Sequence, residues 1–397
     1  MMLKTYKYRL ESNREQKQKL EATLDTCRYL YNDTLACRER QAELYRLPMT
    51  KQWITVEDQI NALPGQKQED KYLPLVHSQV LQDVIHRVDN SFKNFFRHLK
   101  HHEQSGYPRF KCYNRYNSFT YPQTGFKIVD RKLELSYIGK VNVKIHKSLR
   151  GKIKTCTIKR DIDAWYACFS VKIEDSLPEK TVIKSAVGID VGINPLIAQS
   201  NGEKTKPPKF ILQSEHKLAK EQRKLSRKQK ESHNNKQRVI VAKVHRHIRQ
   251  QRMDFHHKLS RELVAQYDFI AFEDLRIKNM IRNHNLAKSI SDVSWNILQS
   301  FTAYKAEWAG KVVTFVNPKN TSQECSSCGK IVKKNLSIKV HKCPYCGLVL
   351  DRHVNAAINI LKRGLIKVGL GYTDLMPVRG LARDTPMTQE VPCVSGE

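Results

Sequence analysis

No stretch of about 18 apolar residues occurs in the 397 residues, so no segment reads as a membrane-spanning helix. The opening residues, Met1 to Leu10, lack the apolar core of a secretory signal, and a cytosolic protein is expected. Acidic residues are scarce. The chain has 39 Asp and Glu against 70 Lys and Arg, a formal net charge of +31. That excess goes far beyond the needs of solubility and points to a polyanionic partner, most simply nucleic acid held through its phosphates. A generic basic protein is the plainer alternative. What is not scarce is cysteine. Ten in a chain expected to stay in a reducing compartment argue for free thiols or metal ligands, not disulfides. The length allows about two or three domains, and 40% hydrophobic residues suffice for a core.

Leu3, Tyr6, Tyr8 and Leu10 read as an opening strand with lysines between them. Ser12, with Glu15 three residues on, reads as the capping box of a helix that carries Leu20, Leu24, Cys27, Leu30 and Leu35. After a stretch broken by Pro48, Pro64-Gly65 and Pro74, a second helix is marked by Val80, Val84, Val88, Phe92 and Leu99. From Gly106 the period changes. Short alternating segments, among them Phe119-Thr120-Tyr121, Val141 to Ile145 and Trp165 to Ile173, predict a small antiparallel barrel or sandwich. Aromatics interleaved with Lys and Arg there suit nucleic-acid contact, although many must simply fill the barrel.

In the second half, Val187, Ile189, Val191 and Ile193 alternate as a strand, with Asp190 between Gly188 and Gly192. An isolated carboxylate in such a strand is costly unless paired or bound to a metal, so Asp190 is a candidate ligand. A turn cap is the even alternative. A basic helical hairpin follows, with Lys217, Lys220, Arg223, Lys224, Arg227 and Lys228 as candidate phosphate contacts. A solvated charged face is its plain reading. Phe269 to Phe272 form a second apolar strand ending in Glu273-Asp274. A helix with Ile290, Val293, Ile297, Phe301, Tyr304 and Trp308 at spacings of three and four precedes a third strand, Val312 to Val316.

The most specific signal is Cys325-Ser326-Ser327-Cys328 with Cys343-Pro344-Tyr345-Cys346, each pair followed by Gly. Two such knuckles supply four thiolates for one tetrahedral Zn2+, and with no open position that zinc is structural. Directly after it, Asp351 opens a helix through Leu361. Asp190, Glu273 and Asp351 are acids in apolar, acid-poor surroundings, a set suited to Mg2+, which prefers oxygen ligands. Two such ions would serve phosphodiester hydrolysis. Strand, helix, strand order with acids at strand ends fits an RNase H-like α/β fold, the ribbon inserted before its last helix.

Gly188-Ile189-Asp190-Val191-Gly192, Phe272-Glu273-Asp274-Leu275, Thr321 to Gly329 and Asp351-Arg352-His353-Val354-Asn355-Ala356-Ala357-Ile358-Asn359 together resemble the transposon-encoded TnpB (OrfB) family, related to type V CRISPR effectors. The resemblance extends to Tyr29-Leu30-Tyr31-Asn32 and Pro108-Arg109-Phe110-Lys111, and so covers nearly the whole chain. It implies an RNA-guided DNA endonuclease using a guide RNA from the transposon end and cutting double-stranded DNA beside a short target-adjacent motif. It further implies a monomer in the prokaryotic cytosol or nucleoid. Catalysis would fall to Asp190, Glu273 and Asp351 with Mg2+. One departure stands out. The family carries an acid where this chain has His353, so Asp351, two residues earlier, is expected to fill in, although helix positions two apart point in different directions. A guided DNA-binding protein with weak or no cleavage is the alternative, and a transposase acting on transposon ends a third.

The expected fold class is multidomain α+β. Residues 1–10 give the first strand of the barrel, 11–105 a helical recognition part and 106–184 the β-barrel. An RNase H-like (RuvC-like) nuclease domain takes 185–319, a zinc ribbon insertion 320–350 and the last RuvC-like helix 351–363, leaving 364–397 as a disordered tail.

Overall fold

The computed structural model describes residues 2–44, 54–173, 178, 182–228, 234–275, 294–335 and 338–370. The chain divides into two compact units, Met1–Ser176 and Leu177–Glu397.

The first unit is built on β1 (Met2–Glu11), which pairs antiparallel with β7 (Ala164–Ile173). The register sets Tyr6 opposite Phe169, Tyr8 opposite Ala167 and Leu10 opposite Trp165. All six are buried, and the intervening Thr5, Lys7 and Arg9 stay off the core face. β2 (Ser118–Tyr121), β3 (Phe126–Val129), β4 (Lys132–Leu135), β5 (Gly139–Lys144) and β6 (Lys152–Asp161) complete a seven-stranded sheet in the order β2-β6-β7-β1-β5-β4-β3. Every pairing is antiparallel. The edge strands β2 and β3 share no backbone pairing among the described residues, but the sheet curls until the rings of Tyr121 on β2 and Phe126 on β3 lie 6.4 Å apart, so the expected barrel is a curled sheet without backbone closure. β1 follows β7 along nearly its whole length and meets β5 only through Arg9–Glu11.

The sheet shares one core with α1 (Arg14–Leu44) and α4 (Ser78–Lys100); α2 (Val56–Asn61) and α3 (Leu63–Glu69) lie between them in sequence. Each fully buried Leu, Val or Phe contributes about 1.5–3 kcal/mol. Most aromatics on the strands serve this core, as Phe119, Tyr121 and Phe169 show. Helix α1 is capped one residue later than expected. Asn13 Oδ1 accepts from Gln16 N at 2.8 Å, and Gln16 Oε1 accepts from Asn13 N at 3.0 Å. The reciprocal box of side chain and backbone is the same device, moved from Ser12 and Glu15. Two stretches that the sequence sets apart also meet. Asn32 and Lys111 exchange hydrogen bonds of 3.0 and 2.8 Å between the Asn32 amide and the Lys111 backbone.

The second unit holds a five-stranded sheet ordered β10-β9-β8-β11-β12. β8 (Ala186–Val191), β11 (Phe269–Glu273) and β12 (Val312–Val316) run parallel; β9 (Ile197–Gln199) and β10 (Lys204–Thr205) join antiparallel. The parallel strands are apolar on both faces because helices cover both. On one side Val187, Ile189, Ile270 and Phe272 pack with α6 (Asn234–Gln266) and α7 (Trp295–Trp308). On the other Phe269, Ala271 and Val316 pack with α8 (Arg352–Lys367). The apolar stripe expected on the helix before β12 is only half-buried at Ile297, Phe301, Tyr304 and Trp308, where the three rings pack edge to face. The buried face is instead Trp295, Leu298, Gln299, Thr302 and Ala306. Ile290 and Val293 lie outside the described residues.

Helix α8 approaches the sheet closely. A Cβ at Gly188 would lie 2.0 Å from the Ala357 carbonyl oxygen, so only glycine fits under the helix there. The helix also runs past the expected boundary at 363. Gly364 and Leu365 are buried parts of it, so the tail does not begin at 364; residues 371–397, with Cys393, lie outside the described residues. Among the described residues no helix is long and apolar enough to cross a membrane.

Candidate metal centres

The close helix positions the first site. β8 and β11 are neighbours whose last paired residues are Ile189 and Phe272. Asp190 and Glu273 come next, at the carboxyl ends of the strands, where α/β sheets gather functional groups. Two residues earlier, Gly188 and Ala271 face α8, so by the two-residue period Asp190 and Glu273 face it too. The acids lie beside the first turn of α8.

Asp190 is nearly buried, its side chain 12% exposed. Its Oδ2 accepts from His353 Nδ1 at 2.7 Å. Burial raises the carboxyl pKa, and the His353 bond only partly offsets that. Arg352 Nη2 lies 3.3 Å from His353 Nε2, so the ring is held at both nitrogens. Glu273 is 6% exposed and accepts a hydrogen bond from the Thr321 hydroxyl on Oε1. Its backbone carbonyl accepts from Gln299 Nε2 at 3.0 Å. Burial, then the charge of Asp190, pushes its carboxyl up to about 7. Two buried acids, one of which raises the pKa of the other, form a place that a divalent cation would neutralise, so the donors suit one.

Asp351 is placed differently from its expected role. It is the N-cap of α8: Oδ1 accepts from His353 N at 2.9 Å and Val354 N at 3.3 Å. Its Oδ2 pairs with Lys204 Nζ on β10 at 2.8 Å. Against the effect of burial, the Lys204 ammonium and these N–H groups hold its carboxyl below the usual range. Both oxygens are therefore engaged, and the side chain that reaches Asp190 is His353.

The second site is local. Cys325, Cys328, Cys343 and Cys346 bring their sulfurs within 4.8 Å of one another, the only such donor cluster among the described residues. Sγ separations of 3.5 Å for Cys325–Cys346 and 3.6 Å for Cys328–Cys343 approach the about 3.8 Å of a tetrahedron with 2.3 Å Zn–S bonds. The cluster could hold a zinc ion. The trailing glycines explain themselves: Gly329 at φ 75° and Gly347 at φ 74° close matching turns that L side chains disfavour. In each, the glycine N–H donates to the carbonyl of the first cysteine, at 2.9 and 3.0 Å. Burial works against ionisation of Cys343, yet the N–H groups of Cys346 and Tyr345 bring its thiol to about 6.

Side chains that the sequence did not single out join the two sites. Asn355, buried on α8, accepts from Ser326 N at 2.9 Å and donates to Glu324 O at 2.7 Å. Asn359 donates to Thr321 O at 2.9 Å and to Glu324 O at 2.7 Å. A pair of Asn four apart on an otherwise apolar helix face was the readable signal for these; Thr321 and Lys204 had none. The candidate phosphate contacts lie on and just after α5 (Phe210–Ser226). Lys217, Lys220, Arg223, Lys224 and Arg227 are exposed and Lys228 half-buried; Lys224 pairs with Glu221 at 2.8 Å.

Three family models match in succession: one described as "Helix-turn-helix domain" at residues 1–46, one as "Probable transposase" at 168–284, and one as "Cas12f1-like, TNB domain" at 295–360. In this chain the described part of the first stretch is one strand and one long helix. A Streptomyces pristinaespiralis protein named "Putative RNA-guided DNA endonuclease" is 33% identical over 93% of this chain and 91% of its own length. "Putative RNA-guided DNA endonuclease InsQ" of Escherichia coli (strain K12) is 30% identical over 91% of this chain and 92% of its own. Among solved structures, "Structure of the mini-RNA-guided endonuclease CRISPR-Cas_phi3" matches at 10% identity and a TM-score of 0.47, covering 90% of this chain and 92% of that one. Likeness at that level adds nothing to the assignment. The full-length relatives and the model matches over both units do carry it: the chain belongs to the TnpB (OrfB) family of transposon-encoded proteins.

Proposed function

We propose that this protein is an RNA-guided DNA endonuclease that hydrolyses phosphodiester bonds with divalent metal ions, Mg2+ in the first instance, next to a short target-adjacent motif. The observation that carries this reading is the buried pair Asp190 and Glu273 at adjacent strand ends, facing the first turn of α8. The mixed sheet with acids at its strand ends supports an RNase H-like (RuvC-like) domain. The names of the two full-length relatives support a guide RNA and a DNA target, and the net charge of +31 is of the sign both require. The exposed basic residues of α5 are our candidates for phosphate contact.

Asp190 and Glu273 would hold the metal. Bound ions would supply activation of water and stabilisation of the leaving 3′ oxygen. The chain's own residues do the positioning. Thr321 fixes one Glu273 oxygen, and Gln299 anchors the strand end behind it. Asp351 caps α8 and so fixes the height of His353 against Asp190.

The test uses the full chain with RNA from the transposon end, Mg2+ and a duplex bearing the matching target. Cleavage that Asp190→Ala reduces to background, with target binding retained, is the expected result. Target binding without any cut, equal in the wild type and the variant, would remove the nuclease claim. It would favour a second reading, guided DNA binding without cleavage, for which the His353–Asp190 hydrogen bond is the supporting observation.

A further inference from the structure

We propose that residues 106–115 of the first unit form an aromatic ladder on which unpaired bases of a nucleic acid stack. This deepens the guided reading above and rests on its nucleic-acid partner, not on cleavage.

The segment is chemically one-sided. Residues 104–129 contain no Asp or Glu, while Arg109, Lys111 and Arg115 punctuate the ladder. Rings fall at every third position, and Tyr107, Phe110 and Tyr113 are 43%, 51% and 48% exposed. The next ring in the series, Tyr116, turns inward and packs on Tyr31. Single exposed rings are ordinary on a protein surface. Three at even spacing on an acid-free segment call for a flat, polyanionic partner.

The ladder is held from beneath. Pro108 fixes its own φ and keeps Tyr107 extended. Tyr107 meets Phe92 and Phe95 of α4 edge to face, with ring centres 5.5 and 5.3 Å away. Asn32 of α1 grips both backbone groups of Lys111, whose ammonium lies 5.5 Å from the centre of the Tyr31 ring. The Tyr113 carbonyl accepts from Arg160 Nη2 at 3.0 Å, and its hydroxyl donates to Glu21 Oε2 at 3.2 Å. Glu21 is itself paired with Arg160, so its charge is offset there. The buried Arg160 guanidinium lies 4.2 Å from the centre of the Tyr113 ring and covers one face from the inside, which leaves the other face outward. A platform fixed in advance loses little freedom when a ligand arrives. Bases stack on Phe and Tyr whatever their sequence, and Arg109, Lys111 and Arg115 suit the phosphates between them. The two motifs that the acidic site leaves unused, 29–32 and 108–111, thereby share one task, since Asn32 of the first holds Lys111 of the second.

The experiment uses the full-length protein freed of copurified nucleic acid. The probes are unstructured RNA and DNA oligonucleotides of about 12 nucleotides that carry 2-aminopurine, whose fluorescence falls when the base stacks. The wild type is expected to bind and quench. Phe110→Leu and Tyr113→Leu keep apolar bulk but remove the π face. Each should weaken binding about tenfold and relieve the quenching, with the salt dependence unchanged because no charge is altered. Phe110→Trp should bind and quench at least as well as the wild type. Melting temperature establishes that each variant is folded. The unpaired bases come from the guide RNA if the RNA probe binds more tightly, and from the displaced target strand if the DNA probe does. Affinity and quenching untouched by the Leu substitutions overturn the proposal and leave the guided reading in place. A loss in Phe110→Leu shared by Phe110→Trp also overturns it, because stacking would then not be the cause. Failure of the wild type to bind either probe removes the proposal together with the nucleic-acid reading beneath it.

Discussion

The two candidate metal centres of the second unit are built in opposite ways. In the ribbon the four donors come from two nearly identical knuckles, each closed by its own backbone hydrogen bonds and a left-handed glycine. The geometry is local, and the sulfurs stand within 4.8 Å of one another. In the acidic site the side chains come from β8, β11 and the first turn of α8, and only packing brings them together. A local site keeps its geometry if its segment folds. A packed site depends on every contact that sets the helix on the sheet.

The contrast predicts where damage spreads, beginning with the largest effect. Cys343→Ser should cut bound zinc from about one per chain to none, as elemental analysis will report. Structural zinc binding is worth on the order of 10 kcal/mol of local folding free energy, so proteolysis within 321–350 should accelerate sharply. Because Thr321 and Glu324 are held by Asn359, the acidic site should loosen in turn. Full zinc retention by the variant would break the comparison at its root.

Gly188→Val attacks the other side. Its side chain would meet the backbone of Ala357 and Leu361, and we expect a loss of about 2–4 kcal/mol in urea unfolding together with loss of cleavage. Zinc content should stay unchanged, because the knuckles do not depend on that contact.

Glu273→Gln isolates the electrostatics. With its carboxyl raised from the ordinary 4.5 to about 7, Glu273 binds a proton more readily in the folded chain than in the unfolded one. In metal-free buffer its contribution is therefore most favourable below pH 4.5 and is lost as pH rises through 7. The glutamine variant should exceed the wild type by under about 1 kcal/mol at pH 5 and by up to about 3 kcal/mol at pH 8. Parallel stability–pH curves for the two proteins would show that the carboxyl is not buried as described.

The smallest effect is expected at Lys204. Its pair with Asp351 is partly exposed, and Lys204→Ala should cost about 0.2–1 kcal/mol, diminishing in salt. Asp351→Ala removes the helix cap as well and should cost about 0.5–2 kcal/mol more. Equal losses would show that Asp351 does not cap α8.

Much of this was readable from residues. The β-branched alternation of 187–193 and the run 269–272 identify two strands, because parallel strands covered on both faces must be apolar. The paired CxxC-Gly signature identifies the ribbon, because the turn and the thiolates are specified within five residues. Elements whose form depends on distant partners were read less well. The sheet of the first unit curls without backbone pairing of β2 and β3 where a barrel was expected, since such pairing depends on distant partners that no local pattern encodes. The face of α7 that turns inward carries Gln299 and Thr302, against the apolar stripe, because Gln299 is needed at the Glu273 carbonyl.

By itself, then, the sequence determined the strands, the helices and the four-cysteine ribbon and pointed to Asp190 and Glu273 as candidate acids, since periodicity, turn chemistry and the cost of a lone buried charge act over short stretches. It also exposed the exception at position 353. Only the tertiary structure decided the use of the residues at the start of α8. Position 351 became the cap and 353 the partner of Asp190, because a helix turns about 200° in two residues and its placement on Gly188 selects which side chain faces the strand.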